Sequence, residues 1–231
     1  MKESPRIVVL SAPSGGGKTT IAKAVRDRYP ERFGFSVSAT TRKPRPDERD
    51  GEAYYFLSRD EFQKRLEQGD FLEHAEYAGE LYGTLKSEVE RVLKSGGGRH
   101  VLLDIEVEGA RQVREQYPPP RSVSLFILPS DPRVLLERLL KRKSESPEEI
   151  RRRLDRAKYE LRQASKFDRW VRNDDLDAAL DEVVAAVEEG RAGAGAAPRR
   201  DRKDVEWLKN YGEGLQAQAQ RLYDELHQQK G

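Results

Sequence analysis

Short, continuously apolar runs alternate along this chain with stretches whose apolar residues recur every three or four positions. RIVVLSA (6–12) and RHVLLDI (99–105) read as strands of a parallel sheet, buried on both faces. SVSLFILP (122–129) and RWVRND (169–174) are weaker members of the same set. Helical spacing marks Thr19–Tyr29, Lys86–Ser95, Glu108–Tyr117 and Pro132–Lys143. This alternation predicts an α/β fold in which crossover helices flank a central parallel sheet.

Two helix starts are explicit. Ser58 with Glu61, and Ser146 with Glu149, have capping-box spacing, the second with Pro147 at the first helical position. Residues 35–84 break the pattern with short Tyr- and Phe-rich strands, turns such as RPDERDGE and one helix, as expected of an insertion. After Gly190 comes a small-residue linker, RAGAGAAPRR. Residues 204–229 then read as a helix interrupted by Gly212 and Gly214. Leu208, Leu215 and Leu222 recur every seven residues there, a hint of a packing seam. An amphipathic helix lying on the body of the protein accounts for this better than a coiled coil does.

Composition narrows the function classes. Hydrophobic and charged residues each make up 36% of the 231 positions, so a real core carries a heavily solvated surface. Lys and Arg (43) nearly cancel Asp and Glu (41), leaving +2. That balance argues against a nucleic-acid partner held by bulk charge. The lack of cysteine excludes disulfides and thiol chemistry and fits a reducing compartment. With no apolar leader before the first strand and no apolar run of about 20 residues, neither export nor a membrane span is expected. The location these features suggest is cytoplasmic.

The chemistry begins at VVLSAPSGGGKTTIAKAV (8–25), which follows the phosphate-loop pattern G-x-x-x-x-G-K-[ST] with Ala12 in place of the first glycine. Backbone N–H groups from Ser14 to Thr19 can cradle a polyphosphate if no side chain intervenes, and Gly15, Gly16 and Gly17 meet that need. A helix starting near Lys18 adds its positive end. Lys18 suits the β- and γ-phosphates, and the Thr19 hydroxyl suits Mg2+. Residues Ala12, Pro13, Ser14, Gly15, Gly16, Gly17, Lys18, Thr19 and Thr20 are thus the candidate ATP loop. A glycine-rich turn without a ligand would leave the Lys-Thr pair unexplained.

Three further segments, VSATTRKPRPDERDGEAYYF (37–56), FLEHAEYAGELYGT (71–84) and LLDIEVEGA (102–110), closely resemble the guanylate kinase family. The resemblance runs from about Ile7 to Leu180. It implies a P-loop kinase domain over 5–190, with a core of 5–34, 85–135 and 168–190. A GMP-binding segment spans 35–84, a lid spans 136–167, and a helical tail occupies 191–231. Arg42 and Arg45, three apart around a proline, offer two guanidinium forks for a phosphate dianion. By resemblance, Ser38, Arg42, Arg45, Tyr54 and Tyr82 surround the GMP phosphate and its neighbourhood.

Glu73 would accept the adjacent N1–H and N2–H2 of guanine, and Thr84 would face O6. Adenine offers an acceptor at N1 and would leave that carboxylate unpaired. Asp104 matches an acid that orders Mg2+. Glu106 stands where the family commonly has Asp and contacts the guanine side; Glu108 replaces a usual Gln and is assigned no role. Arg138, Arg142 and Arg153 are implied lid residues closing on the ATP phosphates. Glutamates 145, 148, 149 and 160 are interspersed among them, which disfavours a nucleic-acid patch. Asn173 resembles a position beside the adenine.

The implied reaction converts Mg-ATP and GMP, with dGMP a second acceptor, to ADP and GDP. A phosphate acceptor is already deprotonated at neutral pH, so none of His74, His100 and His227 is needed as a base. The chain is expected to act as a monomer or homodimer. Two rivals are a non-catalytic binding module of the same fold and a P-loop kinase for another phosphate ester.

Overall fold

A computed structural model describes residues 5–77, 79–95, 98–140, 147–189 and 202–228. Five strands form one sheet in the order β2–β7–β1–β8–β9. They are β1 (Ile7–Ser11), β2 (Phe33–Phe35), β7 (His100–Asp104), β8 (Ser122–Leu128) and β9 (Arg169–Arg172). The pairings of β1 and β2 with β7, and of β8 with β9, are parallel. A second sheet, ordered β4–β3–β6–β5, comprises β3 (Ser38–Thr40), β4 (Tyr55–Phe56), β5 (Phe71–Tyr77) and β6 (Glu80–Leu85).

The helices are α1 (Lys18–Arg28), α2 (Arg59–Glu67), α3 (Lys86–Lys94), α4 (Val107–Gln116), α5 (Pro132–Leu140), α6 (Pro147–Ala164), α7 (Leu176–Glu189) and α8 (Arg202–Gln228). The chain divides into two compact units, residues 1–10 with 22–124, and 11–21 with 125–231.

In the first unit every residue of β1 is buried, and β7 is buried up to Leu103, as parallel strands covered on both faces require. His100 serves structure: its Nδ1 accepts the Arg6 amide at 3.1 Å in a buried setting. Strand β2 escaped the sequence pattern because it is only FGF. Its glycine is demanded by α3, since a Cβ on Gly34 would lie 2.3 Å from Val92 Cγ1. In the small sheet β6 runs antiparallel to β3 and β5, while β4 joins β3 in parallel. Phe62 of α2 stacks on Phe71 at 4.3 Å, and with Ala39 and Leu85 they form this sheet's core. Ser58 caps α2 by accepting the Glu61 amide at 3.1 Å.

In the second unit α7 buries Ala179, Leu180, Val183, Ala186 and Val187, a continuous helical stripe. Helix α8 differs from expectation: it runs unbroken for 27 residues, through both Gly212 and Gly214. It packs on α5 and α6. The buried stripe is Tyr211, Leu215 and Ala219, a four-residue spacing, not the seven-residue leucine series. Leu208 is only half-buried, and the side chain of Leu222, like Ser146 and the linker 191–201, lies outside the described residues. None of the described helices is long and apolar enough to cross a membrane.

One buried carboxylate secures the first unit. Glu88 of α3 accepts from the Val37 amide at 3.3 Å, Tyr55 Oη at 3.1 Å, and Arg91 Nε and Nη2 at 2.9 and 2.8 Å. Arg91 foremost holds its carboxyl below the ordinary 4.5. Burial, then Glu88, raises the Tyr55 phenol. Because the folded value is the lower one, this stabilisation is complete above pH 4.5 and fades as pH falls through the depressed value. Glu88→Ala strands the Tyr55 and Val37 donors and should cost on the order of 1–3 kcal/mol in urea unfolding at pH 7. The deficit relative to wild type should shrink as the measurement is moved toward pH 3.

Candidate active site

In the second unit the loop from Ala12 to Gly17 leaves β1 and enters α1 at Lys18. Gly15 (φ 83°) and Gly17 (φ 95°) adopt backbone angles that side-chain-bearing residues avoid. Gly16 is confined instead by space: a Cβ would meet Ala12 Cβ at 2.9 Å and Ile127 O at 3.0 Å. Ala12 thus stands in the wall behind the loop. Asn173 braces it, donating Nδ2–H to Gly16 O at 2.8 Å and filling the space a Gly17 side chain would need. The Arg138 Cβ lies 3.2 Å from where a Gly15 Cβ would sit. Thr19 and Thr20 are exposed on the first turn of α1.

Two of the amides in the Ser14–Thr19 cradle have partners within the protein. The Gly16 amide turns back to Pro13 O at 2.8 Å, and the Ser14 amide donates to Glu160 Oε2 at 3.2 Å. These two donors are engaged inside the protein. Glu160, 2% exposed, also takes Arg156 Nε at 3.0 Å, while Arg153 Nη2 donates to Ser14 Oγ at 3.3 Å. In the sequence Glu160 is only one of four glutamates interspersed in a basic run. The four-residue offset from Arg156 was the available signal for a paired position on α6. Arg142 lies outside the described residues.

The first unit gathers the other candidates on the small sheet. Glu73 is 5% exposed and accepts Thr84 Oγ1–H at 2.6 Å. A bulge between Phe71 and Glu73 shifts the β5–β6 register so that Glu73 faces Thr84, and Ser38 of β3 faces Thr84 from the other side. Thr84 has a single hydroxyl proton. While Glu73 holds it, none remains for an outward acceptor such as a carbonyl oxygen.

Helix α4 supports this strand through residues the sequence reading missed. Gln112 exchanges two hydrogen bonds with the backbone of His74, at 2.8 and 3.1 Å, and Gln116 Nε2 donates to Leu72 O at 2.6 Å. Gly109, on the same helical face, lies against the carboxylate: a Cβ there would be 2.2 Å from Glu73 Oε2. The spacing 109, 112, 116 was the sequence signal for this face.

Arg42 lies 5.4 Å from the Tyr54 ring centroid and 5.8 Å from that of Phe56, and Tyr54 meets Tyr82 edge-on at 6.1 Å. Glu48, also missed, holds both halves of the arginine pair: Oε1 accepts Arg42 Nη2 and Oε2 accepts the Arg45 amide, each at 2.8 Å. Arg42 foremost holds the Glu48 carboxyl below its ordinary value, and Glu48 raises Arg42. The Arg45 side chain is exposed. Asp104 ends β7 half-buried, and Glu106 is the half-buried N-cap residue of α4 without a side-chain capping bond. Glu108 pairs with Arg111 at 3.2 Å on the surface.

Thr19 of the second unit and Asp104 of the first are, each by itself, a hard oxygen donor of the kind Mg2+ takes. Among the described residues no cluster of three or more His, Cys, Asp or Glu could hold a metal on its own. A single oxygen donor of this kind suits an ion bound chiefly to substrate phosphates and water.

A glycine loop between a buried parallel strand and a helix, within a parallel sheet flanked by helices, defines an α/β P-loop kinase fold. The guanylate kinase family model matches residues 4–190. The guanylate kinase of Synechococcus sp. (strain ATCC 27144) is 50% identical over 182 residues, covering 79% of this chain and 97% of that protein. That of Chlorobium chlorochromatii is 46% identical over 187 residues, covering 81% and 96%. The crystal structure of guanylate kinase from Anaplasma phagocytophilum superposes with a TM-score of 0.65 at 28% identity, over 91% of this chain and 96% of that one. The chain belongs to the guanylate kinase family.

Gly109→Ala forces a methyl group into the Glu73 carboxylate and should destabilise the protein by about 1–3 kcal/mol in urea unfolding. An unchanged midpoint would show that the carboxylate can move aside without cost.

Proposed function

We propose that the chain transfers the γ-phosphoryl group of Mg-ATP to GMP, with dGMP as a second acceptor, giving ADP and GDP or dGDP. The observation that carries this is the buried Glu73 carboxylate, fixed by Thr84 and walled by Gly109. One carboxylate can accept two adjacent donors, and guanine supplies two side by side, N1–H and N2–H2. In this reading Thr84 orients Glu73 and does not donate to O6. Arg42, Arg45, Tyr54, Tyr82 and Ser38 take the acceptor phosphate, with Glu48 fixing Arg42. Glu106 lies toward the guanine side.

Lys18 and the loop amides hold the donor phosphates, and Arg138, Arg142 and Arg153 spread the charge that develops on the transferring group. Asn173 acts by holding Gly16 in place. An oxygen of the acceptor phosphate bonds to the γ-phosphorus as the bond to the β–γ bridging oxygen breaks, and that oxygen leaves with ADP. No proton need move. Mg2+ held through Thr19 and Asp104 would neutralise charge on the donor phosphates. Catalysis rests on positioning and on fixed charge. A cytoplasmic location, where ATP and GMP are both available, completes the proposal.

An acceptor screen with Mg-ATP over GMP, dGMP, AMP, CMP, UMP and ribose phosphates tests the substrate. ADP release with GMP and dGMP is expected, with AMP poorer by about 10^4 in kcat/KM. Release with another acceptor but not with GMP refutes it. Glu73→Gln should erode the GMP-over-AMP ratio while leaving the ATP KM within about twofold; an equal loss of both would contradict base reading. Lys18→Ala should abolish turnover, by about 10^3 or more, in a folded protein.

A further inference from the structure

Helix α8 begins after residue 190, where the family match ends. In the second unit it touches the elements that brace the phosphate loop from behind, at three points. Trp207 lies 5.9 Å from Trp170 by ring centroids, and the Arg172 guanidinium sits 5.6 Å from the Trp207 ring. Trp170 and Arg172 belong to β9, and the next residue is Asn173, whose amide holds Gly16 O. Gly214 seats on the first residue of α5: a Cβ there would be 3.3 Å from Pro132 Cγ. Between them Tyr211 is 2% exposed, packed 5.3 Å from Trp207, with a buried hydroxyl that has no hydrogen-bond partner among the described residues.

Three charged groups that act on that hydroxyl, Asp131, Asp174 and Arg138, come from just past the end of β9 and from α5 and its approach. Asp131 precedes α5 and is paired with Arg133 at 2.7 Å; Asp174 follows Asn173 and accepts the Ser130 amide at 2.8 Å; Arg138 packs against Gly15. Burial first, then the two aspartates, push the Tyr211 phenol up. A phenol left unpaired among carboxylates costs free energy, so the packing around it has to hold it there. Tyr211, Leu215 and Ala219 supply that packing, the face on which α8 meets α5 and α6.

We propose that α8 is a built-in brace of the donor site. By fixing α5 and the end of β9 it positions Arg138 and Asn173 against Gly15–Gly17, and so sets the affinity for the donor nucleotide. The inference rests on reading that loop as the ATP site. Trp207, Tyr211 and Gly214 are positioning residues in it, acting through α5 and β9. A helix that only added stability would leave both substrate constants alone. A brace acts on one of them, because displacing a binding loop by a fraction of an ångström weakens every dipole aimed at the phosphates at once.

The test uses the full chain with Trp207→Ala and, separately, Gly214→Leu, which pushes α8 off Pro132. Steady-state kinetics with Mg-ATP and GMP, and thermal melting, are measured on each, with Lys18→Ala alongside. The expected result is an ATP KM raised about tenfold in both variants, with the GMP KM within about twofold of wild type. A lowered melting temperature with both constants unchanged overturns the brace, as does an equal rise in both. If Lys18→Ala loses turnover while both tail variants keep the wild-type ATP KM, the brace alone fails. If Lys18→Ala keeps turnover, the loop reading fails and takes the brace with it.

Discussion

A loop that grips phosphate with its backbone cannot use its own side chains to keep its shape. Beyond the local bond from the Gly16 amide to Pro13 O, the glycines that open the approach give the loop little reason to stay put, and each loses more conformational entropy on ordering than any other residue. The shape must be imposed from elsewhere. Asn173 ties Gly16 O, Glu160 ties the Ser14 amide, Arg153 reaches the Ser14 hydroxyl, and Arg138 walls Gly15. All four come from well over a hundred residues further along the chain. The second unit is, in this sense, a frame built around one bend of backbone, and the order of its elements follows from delivering those four residues to it.

Glu73 poses the complementary problem. Burying a carboxylate is expensive unless its neighbours replace the lost water. The small sheet answers with geometry: the bulge turns Glu73 toward Thr84, and α4 offers a glycine where any other residue would collide. Gln112 and Gln116 then bind the backbone on either side of Glu73, so the carboxylate sits on a strand clamped at positions 72 and 74. The same economy appears at Arg42. Glu48 orients the guanidinium from one edge and takes the Arg45 amide with its second oxygen, so one carboxylate sets both members of the pair.

What could be read from the sequence was local. The apolar strands, the glycine loop and the Arg-x-x-Arg turn each declare themselves within a few residues, and their order along the chain carried the family resemblance. What could not be read was set by partners distant in sequence. Strand β2 is too short and too glycine-weakened to show a pattern, and exists because β7 offers an edge to pair with. Glu160 looks like any glutamate on a basic helix until Ser14, 146 residues away, is brought beside it. The resemblance sets Thr84 facing the base; the bulge in β5 is what brings it opposite Glu73, which accepts its hydroxyl. A one-residue register shift reverses the face a side chain takes, and nothing in FLEHA announces it.

The tail shows local preference overruled outright. Two glycines in a helix interior cost about 1 kcal/mol each relative to alanine, which is why an interruption is the natural reading of the sequence. Burial of Tyr211 and Leu215 outweighs that cost, at about 25 cal/mol per Å2 of apolar surface removed from water. Gly214 also lies close to Pro132, where a Cβ would sit 3.3 Å from Cγ, a tight contact. Gly212 has open space beyond its Cα, and nothing in the structure explains it. A helix that owes its order to docking has no stable register of its own in isolation. Its stability is therefore coupled to the placement of α5 and α6, and coupling of this kind is reciprocal. Whatever holds Arg138 and Glu160 in position also holds α8, and α8 returns the constraint to the same two helices.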